Sequence, residues 1–217
     1  MKMMYLLLIR HAENDWVGER LAGWTPDVHL NDKGRAQATA LAQRLSRTPL
    51  RAIYSSPLER TLETAQPLAQ AHGLTVQARE ELGEAGYGSW TGRALKDLKE
   101  DELWPVIQVY PAGARFPDGE SMREVQARIV AELDAIRDAH PEQTIAVFSH
   151  SDPIKMAAAF YAGLPLDLFQ RLTISPASVT AFAFTRFGPR LLCLNHTDSL
   201  PSFAIEEHSM QPDHEEH

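Results

Sequence analysis

Two short apolar runs, Met4 to Ile9 and Thr144 to Phe148, are bounded by polar residues and each stops at a histidine, the first at Arg10-His11 and the second at Ser149-His150. Runs of this length and composition predict strands of a parallel sheet covered on both faces. Between and around them the apolar period lengthens. Ala38, Leu41, Ala42 and Leu45 share one face of a helix predicted over about 31–46, with Asn31 or Asp32 as its cap. A short strand at 52–54 leads to Ser56 as N-cap and Pro57 at the first helical position. The helix they open runs to about Ala71, backed by Leu58, Leu62, Ala65 and Leu68 and closed by Gly73. A weaker strand follows at 75–78.

Residues 79–119 lose periodicity and are rich in glycine, proline and aromatics, with one or two short helices expected near 95–110. An excursion of that length usually forms a pocket wall or lid. Ser121-Met122-Arg123-Glu124 reads as a capping box whose helix reaches about Asp138. The strand at 144–148 and a helix from Pro153 to about Tyr161 come next. Two final strands, 178–185 and 191–195, are expected to pair through Gly188-Pro189. The alternation predicts a three-layer α/β sandwich, a mostly parallel central sheet with helices on both faces. One domain is expected over 1–202, with an acidic, mobile tail over 203–217.

The 217 residues are 44% hydrophobic and 23% charged, ordinary values for a chain that buries a core. A net charge of −8 argues against non-specific nucleic-acid or anionic-membrane binding. An anionic substrate would therefore need a local cluster of cations. Cys193 is alone, so no internal disulfide forms, which suits a reducing cytoplasm. Lys2 ahead of leucines gives the start a faint signal-peptide look. The apolar core is short, however, and Arg10-His11 follows at once, so the segment reads as the first strand. No apolar stretch approaches the roughly 20 residues of a membrane helix.

In an open α/β sheet, ligands bind beyond the carboxyl ends of the strands. Arg10 and His11 follow the first strand, Arg60 comes within a helical turn of the second, and His150 follows the strand at 144–148. Arginine offers a permanently charged planar fork to phosphate oxygens, and histidine can act as nucleophile, acid or cation. The helix expected at Pro57 would add its positive end. Glu84, in the turn Glu84-Ala85-Gly86-Tyr87-Gly88, is the candidate acid, its pKa lifted by cover from Tyr87 and Trp90. Asp152 reads as an N-cap before Pro153 rather than a catalytic carboxylate, and Lys155 lies one turn on, at the surface or in the pocket. Trp16, Trp24, Trp90 and Trp104 read as loop anchors. The histidines near the C-terminus show no metal-ligand spacing.

Leu8-Ile9-Arg10-His11-Ala12-Glu13 resembles the opening signature of the histidine phosphatase superfamily, which includes the cofactor-dependent phosphoglycerate mutases. Tyr54 to Thr61, Pro117 to Ser121 and Phe148-Ser149-His150 resemble further motifs of that family, and Glu84 to Gly92 (EAGYGSWTG) resembles the phosphatase-branch pattern E-x-x-F/Y-G-x-W-x-G. The resemblance implies a phosphoglycerate mutase-like fold and a metal-independent phosphatase that needs no cofactor. His11 would carry a phosphohistidine, Arg10, Arg60 and His150 would hold the phosphoryl oxygens, and Glu84 would serve as acid and then base.

Three departures stand out. Ala12 replaces the usual glycine, Asn14 stands where a hydroxyl is common, and Ser151-Asp152 replaces Gly-Gly. Asn14, Gly23, Trp24 and Ser151 are the expected substrate contacts, Gly23-Trp24 because Arg20 to Trp24 resembles a mutase loop. A mutase-type isomerase and a non-catalytic phospho-ligand module are the rival readings. The expected partner is a small phosphorylated substrate; a homodimer is compatible with the sequence. Loops 12–30 and 86–118 should shape the leaving-group pocket, and their aromatics point to an apolar or sugar moiety.

Overall fold

The structure, a computed structural model, describes residues 3–198; the acidic segment 203–217 lies outside the described residues. The chain runs β1 (Met4–Arg10), α1 (Asp32–Leu45), β2 (Leu50–Ser55), α2 (Glu59–His72), β3 (Val76–Ala78), α3 (Leu95–Leu98), α4 (Leu103–Val109), α5 (Met122–Ala139), β4 (Thr144–Ser149), α6 (Ser151–Tyr161), β5 (Val179–Thr185) and β6 (Gly188–His196). The six strands form one sheet in the order β3-β2-β4-β1-β5-β6. β4 lies parallel between β2 and β1, and every one of its residues is buried, which is why it reads as unbroken apolar sequence. Only β5 runs against its neighbours, β1 and β6.

Alternate residues of the central strands face opposite layers. Leu6, Leu8, Ile145 and Val147 pack with Ile129 and Leu133 of α5 and Ile154 and Ala158 of α6. Leu7, Ile9, Ala146 and Phe148 pack with Leu41 and Leu45 of α1 and Ala65 and Leu68 of α2. Each fully buried aliphatic contributes about 1.5–3 kcal/mol. The three-layer sandwich is therefore the one the sequence predicts. A third apolar cluster, including Trp90, Ile107, Phe116, Met122 and Phe169, lies under the 79–119 excursion, where α3 and α4 are the two short helices expected there.

Local signals explain most helix ends. The Asn31 side chain caps α1 by accepting from Gly34 N, Ser121 and Glu124 close a reciprocal capping box on α5, and Gly73 ends α2 at φ +62°. Two expected starts are corrected. α2 begins at Glu59 after Leu58, not at Pro57, because the Ser56 carbonyl and hydroxyl turn to Thr61, Leu58 and His150 in a bend instead. α6 begins at Ser151 with His150 as its cap, so Asp152 and Pro153 sit second and third; proline is tolerated because first-turn N–H groups lack helical partners anyway. The last hairpin also turns earlier than expected. Arg186 and Phe187 form its tip, and Gly188 and Pro189 already belong to edge strand β6.

The segment after β1 is held from three sides. Ala12 N donates to Thr64 Oγ1, Glu13 N donates to Gln37 Oε1, and the Glu13 carbonyl lies against Gly34, where an added Cβ would sit 2.0 Å from that oxygen. Gly34→Ala should lower the unfolding free energy by about 1–3 kcal/mol despite alanine's better helix propensity, as measured by urea denaturation.

Candidate active site

Parallel register brings the site together. Arg10 of β1 pairs with Ser149 of β4, and His11 N extends the ladder by donating to Ser149 O at 3.0 Å. Ser56 N, just past β2, donates to Phe148 O at 2.9 Å. His11, Ser56 and His150 therefore leave three adjacent strands at one level, and the His11 and His150 rings lie 5.3 Å apart between centroids.

His11 Nδ1 bonds to the Ala12 carbonyl at 2.8 Å. A carbonyl only accepts, so the proton sits on Nδ1 and Nε2 keeps its lone pair. Burial, then the Arg10 and Arg60 charges, pulls the His11 pKa well below the usual imidazole value, so the ring is neutral near pH 7. His150 Nε2 lies 2.9 Å from Ser56 Oγ, and its Nδ1 is buried with no hydrogen-bond partner among the described residues. The Ser56 oxygen already accepts from Leu58 N at 3.4 Å. A Ser56 hydroxyl that donates to Nε2 puts the His150 ring proton on Nδ1, the nitrogen 4.0 Å from Glu84 Oε2. Burial, Arg60 and His11 likewise pull the His150 pKa well down.

Each arginine is anchored by one bond and keeps donors in reserve. Arg10 Nη1 donates to Ile174 O at 2.6 Å, and Arg60 Nη2 donates to Gly23 O at 2.7 Å. Arg10 Nε and Arg60 Nε and Nη1 are buried without a partner among the described residues. Burial lowers both guanidinium pKa values, opposed chiefly by Glu84. Leaving charged donors unpaired out of water is costly, and a dianionic oxyanion is the ligand that matches them.

Glu84 Oε1 accepts from Ala85 N at 2.9 Å. Burial first, then the Asp152 carboxylate, pushes its pKa up to about 7, against the Ala85 N–H, Arg60 and Arg10. The turn carrying it is fixed from outside. Trp24 Nε1 donates to Glu84 O at 2.7 Å, Arg128 donates to the carbonyls of Glu81, Gly83 and Glu84, and Glu120 accepts from Gly86 N and Arg128. Gly88, at φ +54°, passes so close to Pro117 O that a Cβ would lie 1.9 Å from it.

A cup of ≈ 150 Å³ is lined by Arg10, His11, Arg60 and Glu84, with Asn14 and Ser151 also in its wall. His150 is fully buried against His11. Asn14 Oδ1 accepts from Trp16 N, bending the loop around the cup. Gly23 and Trp24 are not among the cup's lining residues: the Gly23 carbonyl accepts from Arg60, and Trp24 braces the Glu84 backbone. The helix end at the cup is that of α6, through Ser151 and Asp152, rather than the one expected at Pro57. Asp152 also lines the cup, accepting from Tyr87 OH at 3.0 Å and pairing with Lys155 at 3.8 Å. Sequence reasoning missed Ser56, Thr64 and Arg128 as supports. Ser56 stood inside a quoted motif, but nothing in the spacing said its hydroxyl would meet His150.

A sequence profile of the histidine phosphatase superfamily (branch 1) matches residues 6–197. Phosphoserine phosphatase 1 of Hydrogenobacter thermophilus is 34% identical over 210 residues, covering 95% of this chain and 99% of that protein. The protein named "Probable phosphoglycerate mutase GpmB" of Cronobacter sakazakii is 33% identical over 181 residues, covering 82% and 84%. Among solved structures, a phosphoserine phosphatase of Entamoeba histolytica, in complex with 3-phosphoglyceric acid, superposes with a TM-score of 0.82 at 27% identity, covering 91% of this chain and 100% of that one. The chain belongs to the histidine phosphatase superfamily.

Ser56→Ala removes the one hydroxyl that meets His150 Nε2 among the described residues. The ¹⁵N shifts of that ring should move toward a tautomer mixture, with a stability loss of about 1–2 kcal/mol; unchanged shifts would show that the hydroxyl does not orient it.

Proposed function

We propose that the protein hydrolyses small phosphomonoesters through a phosphohistidine on His11, with the arginines rather than a metal ion supplying the charge. The observation that carries this reading is a neutral His11 with its lone pair on Nε2, in a cup that also presents two guanidiniums and a carboxyl whose pKa is about 7. Arg10, Arg60 and the His150 Nδ1–H bind the phosphoryl oxygens. His11 Nε2 attacks phosphorus, the ester P–O bond breaks, and protonated Glu84 gives its proton to the departing alkoxide. Water then enters, loses a proton to the Glu84 carboxylate and attacks phosphorus. The P–N bond breaks, inorganic phosphate leaves, and Glu84 is protonated again. The fixed donors stabilise the charge that spreads over the oxygens in both steps.

A mutase would retain the phosphoryl group and need a cation for its substrate's carboxylate. Ala85 follows Glu84 here, and Lys155, beside the cup, is paired with Asp152. Incubation with 3-phosphoglycerate and a bisphosphoglycerate primer should release phosphate and yield no isomer. The single Cys193 supports a reducing compartment, and the cytoplasm belongs to the same reading. Among the described residues no helix is long and apolar enough to cross a membrane.

His11→Ala should abolish phosphate release from p-nitrophenyl phosphate and any acid-labile labelling of the protein by radioactive substrate, and retained turnover would overturn the nucleophile assignment. EDTA should leave the wild-type rate unchanged. Because Glu84 must be protonated for the first step, kcat/KM for an alkyl phosphate should fall tenfold per pH unit above about 7. Glu84→Gln should lower kcat/KM by about 10²–10⁴-fold and erase that fall. The loss should be smaller with p-nitrophenyl phosphate, whose leaving group needs less help.

A further inference from the structure

Beside the phosphoryl cup lies a second cavity of ≈ 260 Å³ that shares Leu21, Tyr87, Leu95 and Asp152 with it. The shared residues make the two spaces immediate neighbours, with the phosphoryl cup on one side of Leu21, Tyr87, Leu95 and Asp152 and the second cavity on the other. The second cavity is walled mainly by apolar side chains. Trp90 and Trp104 are stacked with centroids 6.3 Å apart at 29°, and Phe116 meets the Trp90 and Tyr87 rings edge-on at 5.7 and 4.9 Å. Ile107, of α4, completes that wall.

Apart from Gln108, the polar side chains Tyr87, Asp152, Lys155 and Gln170 of this second cavity are engaged with one another. Lys155 Nζ donates to Gln170 Oε1 at 3.1 Å, lies 3.8 Å from Asp152 Oδ1 and sits 5.8 Å from the centroid of the Phe169 ring. Asp152 Oδ2 accepts from Tyr87 OH. Lys155 is the only cation among the described lining residues, and it faces a carboxylate. A leaving group bearing its own carboxylate would meet Asp152 and would have to break the Lys155 pair. An uncharged ring or branched chain would displace water from aromatic surface without disturbing any polar contact.

We propose that this second cavity is the leaving-group subsite and that it selects phosphomonoesters of uncharged aromatic or bulky apolar alcohols over those of small hydroxy acids. The volume sets a size limit of about one or two rings, so the substrate is a small molecule. The inference rests on the phosphatase reading above and adds the substrate class to it. Arg20, at the cup's outer wall, is the one group placed to favour the opposite outcome, since a carboxylate could reach a guanidinium there. Its Nη1 already donates to Gly92 O, and the group packs over Trp16.

The test compares benzyl phosphate with ethyl phosphate, both alkyl esters, so that the ring is the main difference, and includes phosphoserine and 3-phosphoglycerate. The wild-type protein should favour benzyl over ethyl phosphate by about tenfold or more in kcat/KM, through KM, and should place both acids below benzyl phosphate. Trp104→Ala should cut the benzyl preference several-fold while leaving ethyl phosphate turnover and competitive inhibition by inorganic phosphate unchanged. Ile107→Ala, in the wall of the second cavity alone, is the second variant, with the same expected split. Unchanged phosphate inhibition shows that each variant is folded. Equal rates on benzyl and ethyl phosphate, a preference for either acid, or a benzyl preference indifferent to both substitutions would overturn the subsite. No phosphate release from any ester, with no labelled His11, would instead overturn the phosphatase reading.

Discussion

Two parallel strands, β1 and β4, end at the same level and are tied past their last residues by the bond from His11 N to Ser149 O. That ladder fixes the distance between two imidazoles that are 139 positions apart in the chain. Once the rings sit side by side out of water, burial disfavours a charge on either, and the positive charges of Arg10 and Arg60 reinforce the neutral state of both. A neutral His11 whose Nδ1 proton is given to a carbonyl presents the Nε2 lone pair to the cup, the state that the proposed nucleophile requires. The sheet register therefore sets the geometry of the site as much as the residue types set its charge.

Glu84 and Asp152 show how a second carboxylate shapes the first. Burial alone raises the Glu84 pKa, and Asp152 raises it further because two negative charges facing one cup repel. Asp152 itself accepts from the Tyr87 hydroxyl and faces Lys155. The pair Ser151-Asp152, where the family commonly has two glycines, thus brings a hydroxyl, a carboxylate and a helix end to one wall. It changes both the acidity of the site and the chemistry of the space the leaving group enters.

Much of this was legible in the sequence because it depends on strong local signals. The runs around Leu7 and Ala146 have no polar residue to interrupt them, so their strands and buried position follow directly. The Ser121 capping box and Gly73 act within a few residues of themselves. Arg10, His11, Arg60, Glu84, Asn14 and Ser151 all line the cup, since strand ends and the turn at 84–88 place them there. The failures have a common cause, competition from tertiary partners. Ser56 would cap a helix, but its hydroxyl is drawn to His150. Asp152 would cap α6, but His150 already takes that place. The bonds from Arg60 to the Gly23 carbonyl and from Trp24 to the Glu84 carbonyl were equally hidden. No spacing rule can reveal a contact whose partner arrives from 60 or 90 residues away.

The unpartnered donors of Arg10 and Arg60 have a thermodynamic corollary that reaches past catalysis. A protein that holds like charges together in a desolvated cavity gives up some folding stability to do so, and an oxyanion restores it by mass action. Inorganic phosphate, the product of the proposed reaction, is then also a conformational ligand of the whole chain. Melting temperature should track the phosphate level of the medium, and cells starved of phosphate would hold this protein in its least robust form.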